Sequence, residues 1–133
     1  MDIELTYLVW SVALFFVMIL AQAVAGILSG KATVSELVGP RDDMAKDGLT
    51  PFHGRTKRAQ ANYIESMCMF VPLVLVAAVT NSFSEVTALG AAMFFWGRVV
   101  FAPTYWFGVP WVRTLAWFVS IAGILMILWE LLT

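Results

Sequence analysis

Residues 5–28 carry no charged side chain, and at about 1.5 Å of rise per residue a helix of that length crosses a hydrocarbon core about 30 Å thick. Nothing else in the chain limits its fold as severely, because backbone groups out of reach of water must pair within the segment. Two further stretches, 86–106 and 111–132, read the same way. The apolar run at 67–79 is too short to cross alone and needs the preceding residues from about 57 as its first two turns. The fold class expected is therefore all-α integral membrane: one domain over 1–133, a bundle of four transmembrane helices at about 5–28, 57–80, 86–106 and 111–132. Composition agrees, with 61% hydrophobic and 13% charged residues, which excludes a soluble domain. The acidic start at Asp2 and Glu4 and the long apolar core make the first segment a retained helix rather than a signal peptide.

Charge fixes an expected topology. Six of the eight basic residues, Lys31, Arg41, Lys46, Arg55, Lys57 and Arg58, lie between 31 and 58. With four crossings, the loop at 29–56 and the turn at 107–110 share one side, and the positive-inside rule makes it cytoplasmic. The termini and the turn at 81–85 lie opposite. So local an excess of charge, with a net charge of −1, is a topology signal and no nucleic-acid footprint. Within the loop, GPRDD and TPFHG mark turns, with a short helical turn near 34–38. Its length suits a cover over a site. His53, the sole histidine, has no second His or Cys near it to form a metal site and reads as an ordinary loop residue. The single cysteine, Cys68, reads as small apolar filler and excludes an intrachain disulfide. Pro72 removes a backbone hydrogen bond and predicts a kink near Cys68.

The second span opens on RAQANYIES at 58–66. At about 100° per residue, Arg58, Asn62 and Glu65 fall within roughly 60° of one another, so a cation, an amide and a carboxylate share one stripe. Ionisable groups within a span cost several kcal/mol and normally face a bundle interior or a wet cavity, so a binding site is one reading and interhelical structural pairing the other. Arg98 lies seven residues before Tyr105 at one end of the third helix, and Glu65 seven after Arg58 at the matching end of the second. Equal depth, about 10 Å, predicts an Arg98 to Glu65 pair. Arg113 opens the fourth helix on the face of Trp117 and reads equally as an interfacial anchor or as a site cation. Thr114 reads equally as a hydroxyl donor in the site and as a helix-start residue.

Together, four spans, a basic first loop, Arg-Ala-x-x-Asn-x-x-Glu at 58–65, Gly97-Arg98-Val99 with Tyr105, and Val112-Arg113-Thr114 resemble the MAPEG family, the membrane-associated proteins of eicosanoid and glutathione metabolism. The likeness covers essentially the whole chain and is taken as that of a bacterial member, which implies the inner membrane with both termini periplasmic. The resemblance implies a homotrimer that holds glutathione as co-substrate between protomers on the cytoplasmic side, with membrane lipid and a hydrophobic small molecule as its other partners and no metal. It implies that Arg58, Gln60, Asn62, Glu65 and Tyr105 bind the tripeptide and that Arg113 holds the thiolate catalytically, with Thr114 beside it as a candidate contact on the first of its two readings. The implied function is a glutathione transferase or peroxidase-like enzyme. Ala61, Phe101 and Trp117 stand where prostaglandin-forming relatives have arginine, histidine and tyrosine, which argues against that isomerase chemistry. A non-catalytic lipid-binding or scaffold protein of the same fold is the rival, and the absence of repeats and of discontinuous helix pairs argues against a transporter.

Overall fold

The computed structural model describes residues 1–42 and 48–133, so the part of the 29–56 loop at 43–47 lies outside the described residues. Five helices follow in order: α1 Ile3–Leu28, the short α2 Val34–Val38, α3 Pro51–Val79, α4 Glu85–Trp106 and α5 Pro110–Leu132. All except α2 are long and apolar enough to cross a membrane. The expected all-α class, a bundle of four membrane-type helices, is what is found.

Local chemistry sets the boundaries. At α3 the start comes at Pro51, earlier than expected from the apolar run, because Thr50 accepts from the His53 N–H as N-cap and Pro51 supplies the preset first-turn φ. Residues 51–56 are thus helix rather than loop. A capping box at Ser84 and Thr87 opens α4. Helix α3 closes on Asn81 at φ 53°, with Ser82 N–H donating to Ala77 O (2.8 Å) and Asn81 N–H to Ala78 O (3.3 Å). Helix α4 closes the same way on Gly108 at φ 71°, with Val109 N–H donating to Thr104 O (2.8 Å). Paired bonds of this kind satisfy the last carbonyls and allow turns of three to five residues between membrane helices.

Two devices hold the bundle. Helices α4 and α5 meet backbone to backbone: a Cβ at Gly123 would stand 2.3 Å from Gly90 O, and one at Gly97 would stand 3.0 Å from Ala116 O. At the far end from the long loop, Glu4 is buried inside α1 and accepts from Thr87 Oγ1 (2.6 Å) at the first turn of α4. Sequence reading placed Glu4 ahead of the span. The helix begins at Ile3 and carries the carboxylate inward, towards the positive end of α4. Between these levels Tyr63, Phe70, Val74 and Phe94 fill the core, with Phe70 stacked on Phe94 at 4.0 Å between centroids.

Two expectations are corrected here. Cys68 is exposed, not core filler, and with Phe15, Met67 and Pro72 it borders an apolar cavity of about 490 Å³. His53 is buried in the first turn of α3 instead of lying in a loop. Its Nδ1 accepts from Leu49 N–H (3.0 Å), and its Nε2 lies 3.1 Å from the Gln22 side-chain amide on α1. His53→Leu would strand both partners, at about 1–3 kcal/mol for each buried group left unmade. The expected result is a lower thermal midpoint and faster limited proteolysis between residues 39 and 50, with helix content kept. An unchanged cleavage rate would contradict this anchoring role.

Candidate functional site

Three helices bring chemistry to one place. Phe101 and Tyr105 come from successive turns of α4, Arg113, Thr114 and Trp117 from the start of α5, and Asn62 from α3, and together they line a cavity of about 340 Å³. The short turn at 107–109 sets the register, since it holds the end of α4 beside the start of α5. Arg55 fixes the same corner from below: its Nε donates to Trp106 O (2.7 Å), and its side chain passes beside Gly108. Arg55 entered the sequence analysis only as a topology charge, because a contact across 51 residues leaves no local pattern.

Arg113 is half-buried in the first turns of α5, with its Cζ 4.8 Å from the Tyr105 ring centroid. A cation stacked on an aromatic face is favourable, by about 0.5–2 kcal/mol depending on desolvation. A cation near a helix N-terminus is not favourable, because the macrodipole is positive there. The helix would be more stable with an acid at this position. Guanidinium and helix end instead combine their positive potential over one cavity, an arrangement that suits an anion. Thr114 lines the same cavity, but its hydroxyl proton goes to Pro110 O (2.9 Å). In this arrangement the hydroxyl presents lone pairs to the cavity.

Arg98 lies deeper and is 1% exposed. Its Nη1 donates to Asn62 Oδ1 (2.6 Å), while Nε and Nη2 have no hydrogen-bond partner among the described residues. Aromatic faces surround it, with Phe101 at 4.8 Å, Phe94 at 5.9 Å and Tyr63 at 6.0 Å from Cζ to centroid. The expected Arg98 to Glu65 pair is not formed. Matched depth along two helices does not fix azimuth: Glu65 lies about 60° round α3 from Asn62 and is exposed, while Asn62 takes the guanidinium. Tyr63, which donates to Ser11 O (2.5 Å) and stacks on Phe15, carries the wall beneath Arg98. Its place next to Asn62 was the only signal for it.

Of the residues singled out from sequence, Asn62, Tyr105, Arg113 and Thr114 line the cavity, and Arg98 joins it through Asn62. Arg58 and Glu65 are exposed along α3, and Gln60 is half-buried on another face of that helix; none of the three lines the cavity within one chain. A family model described as the MAPEG family matches residues 7–133. No curated protein and no solved structure matches the chain.

Proposed function

The chain belongs to the MAPEG family, and from that premise we propose that it is a membrane-embedded glutathione transferase or peroxidase-like enzyme. The observation that carries the reading is the Arg113 guanidinium stacked on Tyr105 beside the N-terminus of α5, over a cavity that also holds Asn62. A free cysteine thiol has a pKa near 8.5, so half-ionising it at pH 7 requires about 2 kcal/mol of differential stabilisation. One guanidinium in a poorly hydrated site, reinforced by a helix end, supplies energy of that order.

On this reading glutathione is bound with its sulfur towards Arg113, and the thiol proton leaves to solvent. The thiolate then attacks an electrophilic carbon, forming a C–S bond as the leaving group or π-electron pair departs. With a hydroperoxide it attacks the terminal oxygen instead, releasing an alcohol and leaving a sulfenic acid. A second glutathione thiol reduces that to the disulfide and water. Phe101 and Trp117 provide apolar walls for the hydrophobic partner.

We further infer a homotrimer whose adjoining protomer covers α3. Glu65 is exposed on a membrane-type helix two turns further in than the exposed Arg58, and a charge left facing lipid costs several kcal/mol. A neighbouring copy with bound tripeptide would enclose them, with Arg58 offering a bidentate fork to one of its carboxylates and Gln60 and Glu65 further polar contacts. The Lys and Arg excess around the long loop supports a cytoplasmic position for that side, in a bacterial inner membrane.

The test is the ultraviolet thiolate difference spectrum of detergent-purified protein mixed with glutathione at neutral pH. A saturable signal is expected. Arg58→Ala should weaken its half-saturation at least tenfold, the worth of a charged hydrogen bond of about 1.5 kcal/mol, with the oligomeric mass unchanged. No thiolate signal, together with an Arg58→Ala variant that loses its assembly, would favour a scaffold in which the polar stripe only cements protomers.

A further inference from the structure

A second cavity, of about 290 Å³, opens where α1 ends, apart from the site above. Gln22 and Ile27 of α1, Val34 and Val38 of α2, Arg41 and His53 border it. Its two ends differ in character. The valines of α2 are 61% and 81% exposed and Ile27 49%, an apolar surface on a short helix beside the end of a membrane span. The inner end is polar, and the hydrogen bonding there has a direction. Because Leu49 N–H donates to His53 Nδ1, the neutral ring carries its proton on Nε2. The Gln22 amide, 3.1 Å away, must then turn its oxygen to that proton. Its NH₂ is left as the donor offered to the cavity.

Arg41 adds charge at the rim. Its backbone is left-handed (φ 64°), and its Nε donates to Leu37 O at the end of α2, which holds the guanidinium over the opening. Arg41 and Lys57 both bring positive charge to bear on His53, and no described residue lining the cavity is acidic. A concavity with a guanidinium at its rim, an amide donor further in and exposed aliphatic walls, level with the end of a span, matches a lipid whose phosphate sits at the membrane surface.

We propose that this cavity binds an anionic phospholipid, its phosphate accepting from Arg41 at the rim, an ester carbonyl accepting from the Gln22 amide further in, and its acyl chain passing Ile27 and Ala23 along α1 into the membrane. The inference is independent of the thiol chemistry. Native mass spectrometry of the purified protein, titrated with phosphatidylglycerol or with phosphatidylcholine of the same chains, tests it. The anionic lipid should be retained about five-fold more, the worth of one arginine beside an anionic surface. Arg41→Gln should erase that preference. Gln22→Glu, which still accepts from His53 but sets a negative charge against Arg41, should erase it as well. Ala23→Trp, placed on an exposed wall position of the cavity, should exclude both lipids and so tests the site even where a polar variant folds poorly. Equal retention of the two lipids, or an unchanged preference in Arg41→Gln and Gln22→Glu, would overturn the proposal. So would displacement of the lipid by millimolar inorganic phosphate, which would make the ligand a free anion, or a changed subunit count in Arg41→Gln, which would make the cavity a contact between copies.

Discussion

Arg113→Ala is expected to lower turnover of a small hydrophobic electrophile about 15-fold at pH 7, because a thiol returned from pKa 7 to about 8.5 falls from one half ionised to about 3%. The direction follows from charge. A cation favours the anionic form of its neighbour, so the thiol pKa is depressed while the guanidinium is present and rises when it is removed. The two pH profiles should therefore diverge below pH 7 to 8.5 and converge above it. Wild type would plateau above about pH 7, and the variant would climb tenfold per unit until about 8.5. Stopped-flow rates from pH 6 to 10 with saturating glutathione would read this directly. A variant slowed by the same factor at every pH would show that Arg113 positions the substrate and leaves thiol ionisation to another group. Arg113→Lys separates the two roles, since it keeps the charge but loses the planar stack on Tyr105.

Gly123→Ala should be the most damaging single methyl group in the chain. The new Cβ would lie 2.3 Å from Gly90 O and 2.8 Å from Phe94 N, both backbone atoms with no rotamer to yield. Overpacking usually costs about 1–3 kcal/mol where side chains can move. Here the helices themselves must separate, so the upper end of that range or more is expected. Because α4 and α5 carry Tyr105 and Arg113, the separation should also weaken glutathione binding at Arg113, ten residues along α5 from the substitution. Thermal melts in detergent against Leu125→Ala, a change at an exposed position of α5, would isolate the effect. A Gly123→Ala protein as stable as that control would mean that the α4 and α5 backbones are less closely apposed than described.

Hydropathy was enough to place four spans, because every backbone group in a membrane helix is satisfied locally and the pattern requires no knowledge of neighbours. Contacts between helices were another matter. Asn62 stands out as part of the α3 stripe and Arg98 as a partner for Glu65, not for each other, since depth can be counted along a chain while rotation about the helix axis depends on packing. Glu4 with Thr87 and Arg55 with the Trp106 carbonyl join residues 83 and 51 positions apart, and no local spacing encodes either contact. The early start of α3 was legible in principle. Thr50 followed by Pro51 is a helix-start signature as well as a turn signal, and only the burial of His53 decides between them.

That early start makes α3 a single helix of 29 residues, about 43 Å along its axis where a bilayer core needs about 30 Å. Roughly two turns therefore project beyond the hydrocarbon, and the helix is continuous through Pro72. Arg58 near the aqueous end and Cys68 beside the apolar cavity are held about 15 Å apart by a span of ten helical residues. On the proposed chemistry, the helix spans a phase boundary. A water-soluble thiol and an oil-soluble electrophile would each be taken up from the solvent that dissolves it, at separate levels of one helix, before meeting beside Arg113.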